Sequence, residues 1–373
     1  MNSRSRWATF MIVVLSLCLV LSGCEFKDID KRFFITAIGI DKPEDSGKKY
    51  RVTLKIAIPK GQLQMGQEDY MSLSLDSDSI SDAIQKLKAR VDKEFDFGHT
   101  RVLVIGKSLA EEDYRDPLDW FTRQRFIQRI SWCVIGKPTA EKLLDSKQKS
   151  ERMPANALIL AFGGQGVESQ YIVSQYLFQL FRKSNDPGEN PVVPIASPET
   201  SKNSMYYTID SVGVLDDTHL ALVLTPDETR YYNVLSGIVN KSDYNIKMPN
   251  NTFAIHADQV KVKRKISDGE NPTITVTLNF DGLVEEGEHG LQVTPQILEQ
   301  IKQAAEKKLT TEMTTLLNKL QAKQVDPIGF GSLYRATHWQ DMEVEVKTWE
   351  QLYKRAQFKV NVTINLRATG TIQ

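Results

Sequence analysis

The feature that most constrains this chain is Leu21-Ser22-Gly23-Cys24, set directly behind an apolar run from Phe10 to Leu21 that follows Arg4 and Arg6. A basic start, a short greasy core and small residues before a cysteine make a secretory signal with a lipoprotein cleavage box. The run falls short of the roughly 20 apolar residues that a membrane-crossing helix requires. It is therefore read as a signal that is removed. Cys24 becomes the first residue of the mature chain, and its thiol is the nucleophile that takes a diacylglyceryl group. Ser22 and Gly23 keep the cleavage site slim enough for a peptidase within the membrane. Two acyl chains then anchor firmly where one would bind only marginally. Cys18 lies inside the removed core.

The mature chain must fold as a tethered, soluble body of about 350 residues, a length that implies two or three domains. The whole chain has 47 basic and 47 acidic residues, and the signal takes away only Arg4 and Arg6. A near-neutral body argues against nucleic acid or a strongly anionic surface as the main partner. Cys133 is the one cysteine after Cys24, so no disulfide framework forms within the chain. Between Trp132 and Val134 in a predicted strand, it reads as a buried, inert thiol.

Residues 25–31 are polar and give Cys24 a short leash. Phe33 to Asp41 reads as a buried strand. Tyr50, Val52, Leu54, Ile56 and Ile58 alternate with mostly polar residues, so the two make a hairpin, with Met71, Leu73 and Leu75 on a third strand. Ser79 to Lys93 is predicted as a helix, with Ser79 and Asp82 as a capping box and Ile80, Ala83, Ile84, Leu87 and Val91 on one face. Strand 101–105, a helix over 117–126 and strand 131–135 imply a parallel crossover in a mixed sheet. A helix is expected over 167–182. The proline-rich 183–200 stretch reads as a linker or long loop.

A small unit comes next, with strands 206–215 and 220–224 and a helix capped by Thr225 and Glu228 that ends near Gly237. Residues 243–251 are polar again. Strands 259–266 and 273–280 precede the longest helix, about 294–322, whose stripe is Leu298, Ile301, Ala305, Leu309, Met313, Leu316 and Leu320. Phe358, Val360, Val362, Ile364 and Leu366 alternate in a closing strand. The fold class is α+β, with mixed and antiparallel sheets and packed helices. The expected division is 1–23 (signal), 24–198, 199–252 and 253–373.

Catalytic, cofactor-binding and metal-binding constellations are not expected. Gly106-Lys107-Ser108 resembles the end of a phosphate-binding loop, but Arg101 stands where that pattern needs a glycine. Gly163-Gly164-Gln165-Gly166 lacks the spacing of a dinucleotide fingerprint and reads as a loop or hinge. His99, His219, His256, His289 and His338 are far apart and lack metal-ligand spacing. No Gly-x-Ser-x-Gly elbow occurs.

In order along the chain come Cys24 with a charged stretch, Ile38-Gly39-Ile40-Asp41, Phe97-Gly98-His99, Leu103-Val104-Ile105-Gly106 and Pro117-Leu118-Asp119-Trp120-Phe121 before Arg125. Then come Leu316-Leu317, Leu320-Gln321, Asp326-Pro327-Ile328-Gly329-Phe330-Gly331 and Trp339. Through this series the chain resembles the spore germination lipoprotein family, Ger(x)C, the C subunits of nutrient germinant receptors. It departs from the family at Glu25-Phe26, where tryptophan often follows the anchor cysteine. The resemblance implies three α+β domains and assembly with integral membrane A-type and B-type subunits. It also implies a place at the inner spore membrane, with the body on the outer face. A tethered solute-binding lipoprotein of an importer has the same anchor and is the alternative. It would show two similar lobes of repeating parallel units, where this chain shifts to hairpins and one long helix.

Because no other segment is apolar enough to hold the chain at a membrane, Cys24→Ala is expected to leave an uncut precursor that takes up no radioactive fatty acid. Label in that variant would remove Cys24 as the anchor.

Overall fold

A computed structural model describes residues 6–7, 10–13, 16, 29–58, 70–146, 156–163, 169–202, 204–249, 251–287, 293–338 and 341–368. Leu21, Ser22, Gly23 and Cys24 lie outside the described residues. No helix among them is long and apolar enough to cross a membrane.

Two sheets organise the chain. The first holds β1 (Arg32–Asp41), β2 (Tyr50–Ala57), β3 (Tyr70–Ser77), β4 (Glu94–Asp96), β5 (Val102–Gly106), β6 (Trp132–Gly136), β7 (Val192–Ser201), β8 (Ser204–Leu215) and β9 (Leu220–Leu224). Their order is β3-β2-β1-β5-β6-β7-β8-β9, with β4 beside the start of β1. β1, β5, β6 and β7 run parallel, while the flanking pairs β1–β2, β2–β3, β7–β8 and β8–β9 are antiparallel. Parallel neighbours need crossovers. These are α1 (Ile80–Lys88), α2 (Lys107–Glu112), α3 (Arg115–Arg123), α4 (Ala140–Asp145), α5 (Asn156–Phe162) and α6 (Leu177–Ser184).

Strands covered on both faces read as continuous apolar runs. Alternate residues of the central strands therefore serve two cores. Ile38, Ile40, Leu103, Ile105, Cys133 and Ile135 pack with α1 and α3. Ala37, Val102, Val104 and Val134 pack with α4 and α5.

α7 (Pro226–Ser236) leads to the second sheet: β10 (Ser242–Lys247), β11 (Thr252–Ile266), β12 (Thr273–Glu286) and β13 (Gln357–Ala368), in that order. β13 returns parallel to β12 after α8 (Pro295–Ala322), α9 (Phe330–Arg335) and α10 (Met342–Arg355). The period-two face of the sheet meets the stripe of α8. Ile301, Ala305, Leu309, Met313, Leu316 and Leu320 are buried against residues such as Phe280, Val276 and Ile364, with Leu298 at the margin. The same core takes in Val212, Val214 and Leu224 of the first sheet, joined through α7.

The capping box expected at Thr225 and Glu228 forms, and Gly237 ends α7 with a φ of 73°. The one expected at Ser79 does not: its side chain makes no cap bond, and Asp82 accepts the Ser77 hydroxyl instead. The helix expected over 167–182 begins only at Leu177. The segment before it lies along β6, where Gln175 O accepts Cys133 N–H at 2.8 Å and Tyr176 bridges to Trp132. The stretch expected as a linker contains β7. Only Ile195 and Ala196 pair with β6, whose earlier residues are met by Gln175 and Tyr176, while the other edge pairs with β8 along its length. The boundary expected at 198/199 thus falls inside β7, and that at 252/253 falls at the start of β11. The polar 243–251 stretch contains β10, whose Ser242, Tyr244 and Ile246 alternate inward.

Leu316 is 1% exposed. Leu316→Asp would bury an unpaired charge and is expected to cost more than about 4 kcal/mol, abolishing the cooperative thermal transition. A melt at the unaltered midpoint would place the stripe at the surface.

Candidate functional site

The strand endings of the first sheet explain the glycine-lysine-serine sequence. Asp41 ends β1 with a buried side chain. Its Oδ1 accepts Ala140 N–H at 2.7 Å and its Oδ2 accepts Glu141 N–H at 2.8 Å, so one carboxylate serves the first turn of α4. Burial pushes its pKa up, and these two bonds offset part of the rise. Gly106 lies against it: a Cβ there would stand 1.9 Å from Asp41 Oδ1. Lys107 pairs with Glu111 on its own helix. The stretch makes room for a buried carboxylate and does not open into a phosphate cradle. Gly163 lies just past the end of α5, and Gly164 to Gly166 lie outside the described residues.

The two sheets are joined by Asp326, in the turn between α8 and α9. Its carboxylate accepts Gly329 N–H at 3.0 Å and Gly331 N–H at 2.7 Å. Its own N–H donates to Asn190 Oδ1 at 2.7 Å, and its carbonyl accepts Asn190 N–H at 3.0 Å. Asn190 in turn donates to Leu215 O at the end of β8 at 3.2 Å. Beside it Ser332 N–H donates to Gly188 O at 2.9 Å, and Arg335 reaches Asp186 at 2.8 Å. Gly329 has a φ of 78°, and a Cβ on Gly331 would stand 2.7 Å from Trp349 Nε1 and 2.8 Å from Gly188 O. The Asp-Pro-Ile-Gly-Phe-Gly sequence is thus the C-terminal half of a latch whose other half lies in the expected linker. Burial pushes the Asp326 carboxyl up to about 7, against the backbone bonds that favour its ionised form.

A groove of about 530 Å³ opens between α5 and the segment before β10, lined by Phe162, Tyr171, Ile172, Ile238, Asp243 and His256 among others. Gln170 pins its wall by accepting from Ser242 Oγ and Asp243 N, each at 2.7 Å. At its rim Asp243, His256 and Glu285 bring one ligand atom each within 4.8 Å of one another. The register sets Asp243 directly across from His256, and their ion pair at 2.5 Å raises the imidazole pKa. His256 stands apart from the other described histidines but has two carboxylates for neighbours. The signal was the alternation of β10, hidden in a polar stretch. His99, His219 and His338 join no such group among the described residues, and His289 lies outside them. Cys133 is buried, and burial alone pushes its thiol pKa up.

These features define an α+β protein of two mixed sheets sharing one core and locked by a buried carboxylate. Residues 25–198 match the spore germination protein N-terminal domain, and residues 210–370 match the C-terminal domain described as spore germination B3/GerAC like. The chain belongs to the Ger(x)C family of spore germination proteins. It is 24% identical to spore germination protein KC of Bacillus subtilis (strain 168), over 98% of this chain and 96% of that protein. It is 20% identical to spore germination protein GerQC of Bacillus cereus, over 99% of each. A crystal structure of the GerBC protein has the same fold, with a TM-score of 0.54 and 16% identity over 88% of this chain and 96% of that chain.

An unfolded aspartate titrates near 3.9, so between about pH 4 and pH 7 the folded chain holds the Asp326 proton and the unfolded chain does not. This carboxyl's contribution to stability accordingly falls as pH rises through that window, by about 1.4 kcal/mol per unit of displacement. Asp326→Asn puts an amide N–H against a backbone donor and is expected to cost about 1–3 kcal/mol. Denaturant titrations should show that cost shrinking from pH 5 to pH 8; a cost that grows over this range would contradict the raised pKa.

Proposed function

We propose that this protein is the lipid-anchored C-type subunit of a nutrient germinant receptor. Membership of the Ger(x)C family over both halves of the chain carries the reading and supports a role in spore germination. In it, Cys24 holds the protein at the inner spore membrane, and the two-sheet body on the outer face assembles with integral membrane A-type and B-type subunits. The body acts by contact rather than by chemistry. Its near-neutral charge and its rigid join between sheets suit a part that must hold one shape while partners move. A repeated two-lobe architecture, which a solute-binding protein of an importer would show, finds no support in two sheets of different size and strand order.

Physical association decides the matter. The intact lipoprotein, extracted gently from spore membranes through a tag, is expected to bring down a polytopic A-type or B-type subunit. Recovery of neither, with the tagged protein itself intact, would end the receptor assignment.

A further inference from the structure

β1, β5 and β6 run parallel, so the chain enters all three from the same end of the first sheet, with Val102 and Trp132 level with Ala37 and Arg32 projecting five residues further out beside Glu94. That end is also where the chain arrives from Cys24. Arg32 stands eight residues after Cys24. An extended chain spans at most about 3.6 Å per residue, so Arg32 lies within roughly 29 Å of Cys24.

The loop that enters β6 lies at the same end. Ile127 is buried in the core, and the Gln128 side chain accepts from the Arg101 guanidinium at 2.9 Å and donates to Gly98 O at 2.8 Å. Ser131 Oγ donates to Thr100 O at 2.8 Å. With these held inward, Arg125, Phe126, Arg129 and Ile130 are exposed, Phe126 by 65% and Ile130 by 51%. Phe126 lines a cavity of about 230 Å³ together with Arg32 and Trp120, which sets it beside the entry point of the chain. Phe178, 43% exposed, donates its N–H to Arg129 O at 3.0 Å and extends the apolar patch. Arg32 is paired with Asp96, and Arg123 with Asp119. No ion pair among the described residues reaches Arg125 or Arg129.

Two unpaired guanidiniums interleaved with large apolar side chains match a phospholipid surface. The apolar tips enter the acyl boundary, and the cations meet lipid phosphates. The length of chain back to Cys24 selects this occupant over a distant protein surface. We propose that residues 125–130 form a second membrane contact, independent of the attached lipid, that turns the strand-entry end of the first sheet toward an anionic bilayer. The proposal rests on Cys24 as the anchor.

The mature chain from residue 24 carrying Cys24→Ser bears no lipid but keeps every described element from Ile29 on. It is expected to sediment with vesicles of phosphatidylglycerol and phosphatidylcholine, and weakly with phosphatidylcholine alone. One basic side chain near such a surface is worth about fivefold in partition, so Arg125→Glu with Arg129→Glu should weaken binding at least about tenfold. Phe126→Ser with Ile130→Ser should weaken it similarly, and the exposed positions should leave the melting midpoint unchanged. In the lipidated protein, a Phe126→Trp variant should be quenched by brominated lipid chains beyond the quenching of the unaltered protein. Equal sedimentation of all variants, or no added quenching, overturns the contact. A body that binds neither vesicle overturns it too and assigns the patch to a protein partner. Fatty-acid labelling of Cys24 is read separately. Label without loop-dependent binding removes the loop contact and keeps the anchor, and loop-dependent binding without label does the reverse.

Discussion

The structure turns on one buried carboxylate. Asp326 gathers the N–H groups of its own turn with its side chain and pairs its main chain with Asn190. Without such partners, a buried carboxyl would cost several kcal/mol. With them, the cost becomes a directional constraint, because the carboxylate is satisfied in only one arrangement of the turn and the 186–190 loop. Asn190 passes that constraint to the end of β8, so the orientation of the C-terminal sheet is set against the N-terminal one. The shared core through α7 contributes most of the burial, but apolar contact is non-directional and would tolerate sliding. The latch does not.

Asp41 uses the same physics inside the first sheet. A carboxylate at a strand end accepts the first N–H groups of a helix that begins far along the chain, and Gly106 clears the space. Both devices place glycine where a backbone or a carboxylate must come close, and the one at Gly106 looks at first like the end of a phosphate-binding loop. Lys107 and Ser108 follow Gly106 because a helix starts there. A positive charge there is accounted for by Glu111. Sequences that cradle a phosphate and sequences that cradle the protein's own carboxylate draw on the same small residues and free N–H groups.

Asp41 and Asp326 serve internal joins, and the surfaces of the two sheets differ from one another. The outer face of the second sheet is polar, with Lys261, Lys263 and Lys265 in a row on β11. The groove beside α5 is lined by mixed side chains and is open. At the strand-entry end of the first sheet, exposed Phe126 and Ile130 alternate with Arg125 and Arg129, which no ion pair reaches among the described residues.

Elements with strict periodicity were legible from residues alone: the hairpin of β1 and β2, the stripe of α8, the Thr225 cap and the alternation of β13. In each, the local pattern and the final environment agree: the apolar run of β1 is covered on both faces, while α8 and β13 bury one face. The α+β class followed from them. The reading of Leu21 to Cys24 as a cleavage box rests on local sequence alone, and those residues lie outside the described ones. The elements that stayed hidden depend on partners distant in the chain. The proline-rich stretch became β7 because β8 supplies the pairing that its own residues do not advertise. The segment before Leu177 stayed extended, despite an apolar pattern suited to a helix, because the edge of β6 takes up its backbone. Asp326 and Asn190 lie 136 residues apart, as do many of the contacts that decide a tertiary fold. Periodicity reports which face of an element is buried, and only the assembled chain decides what it is buried against.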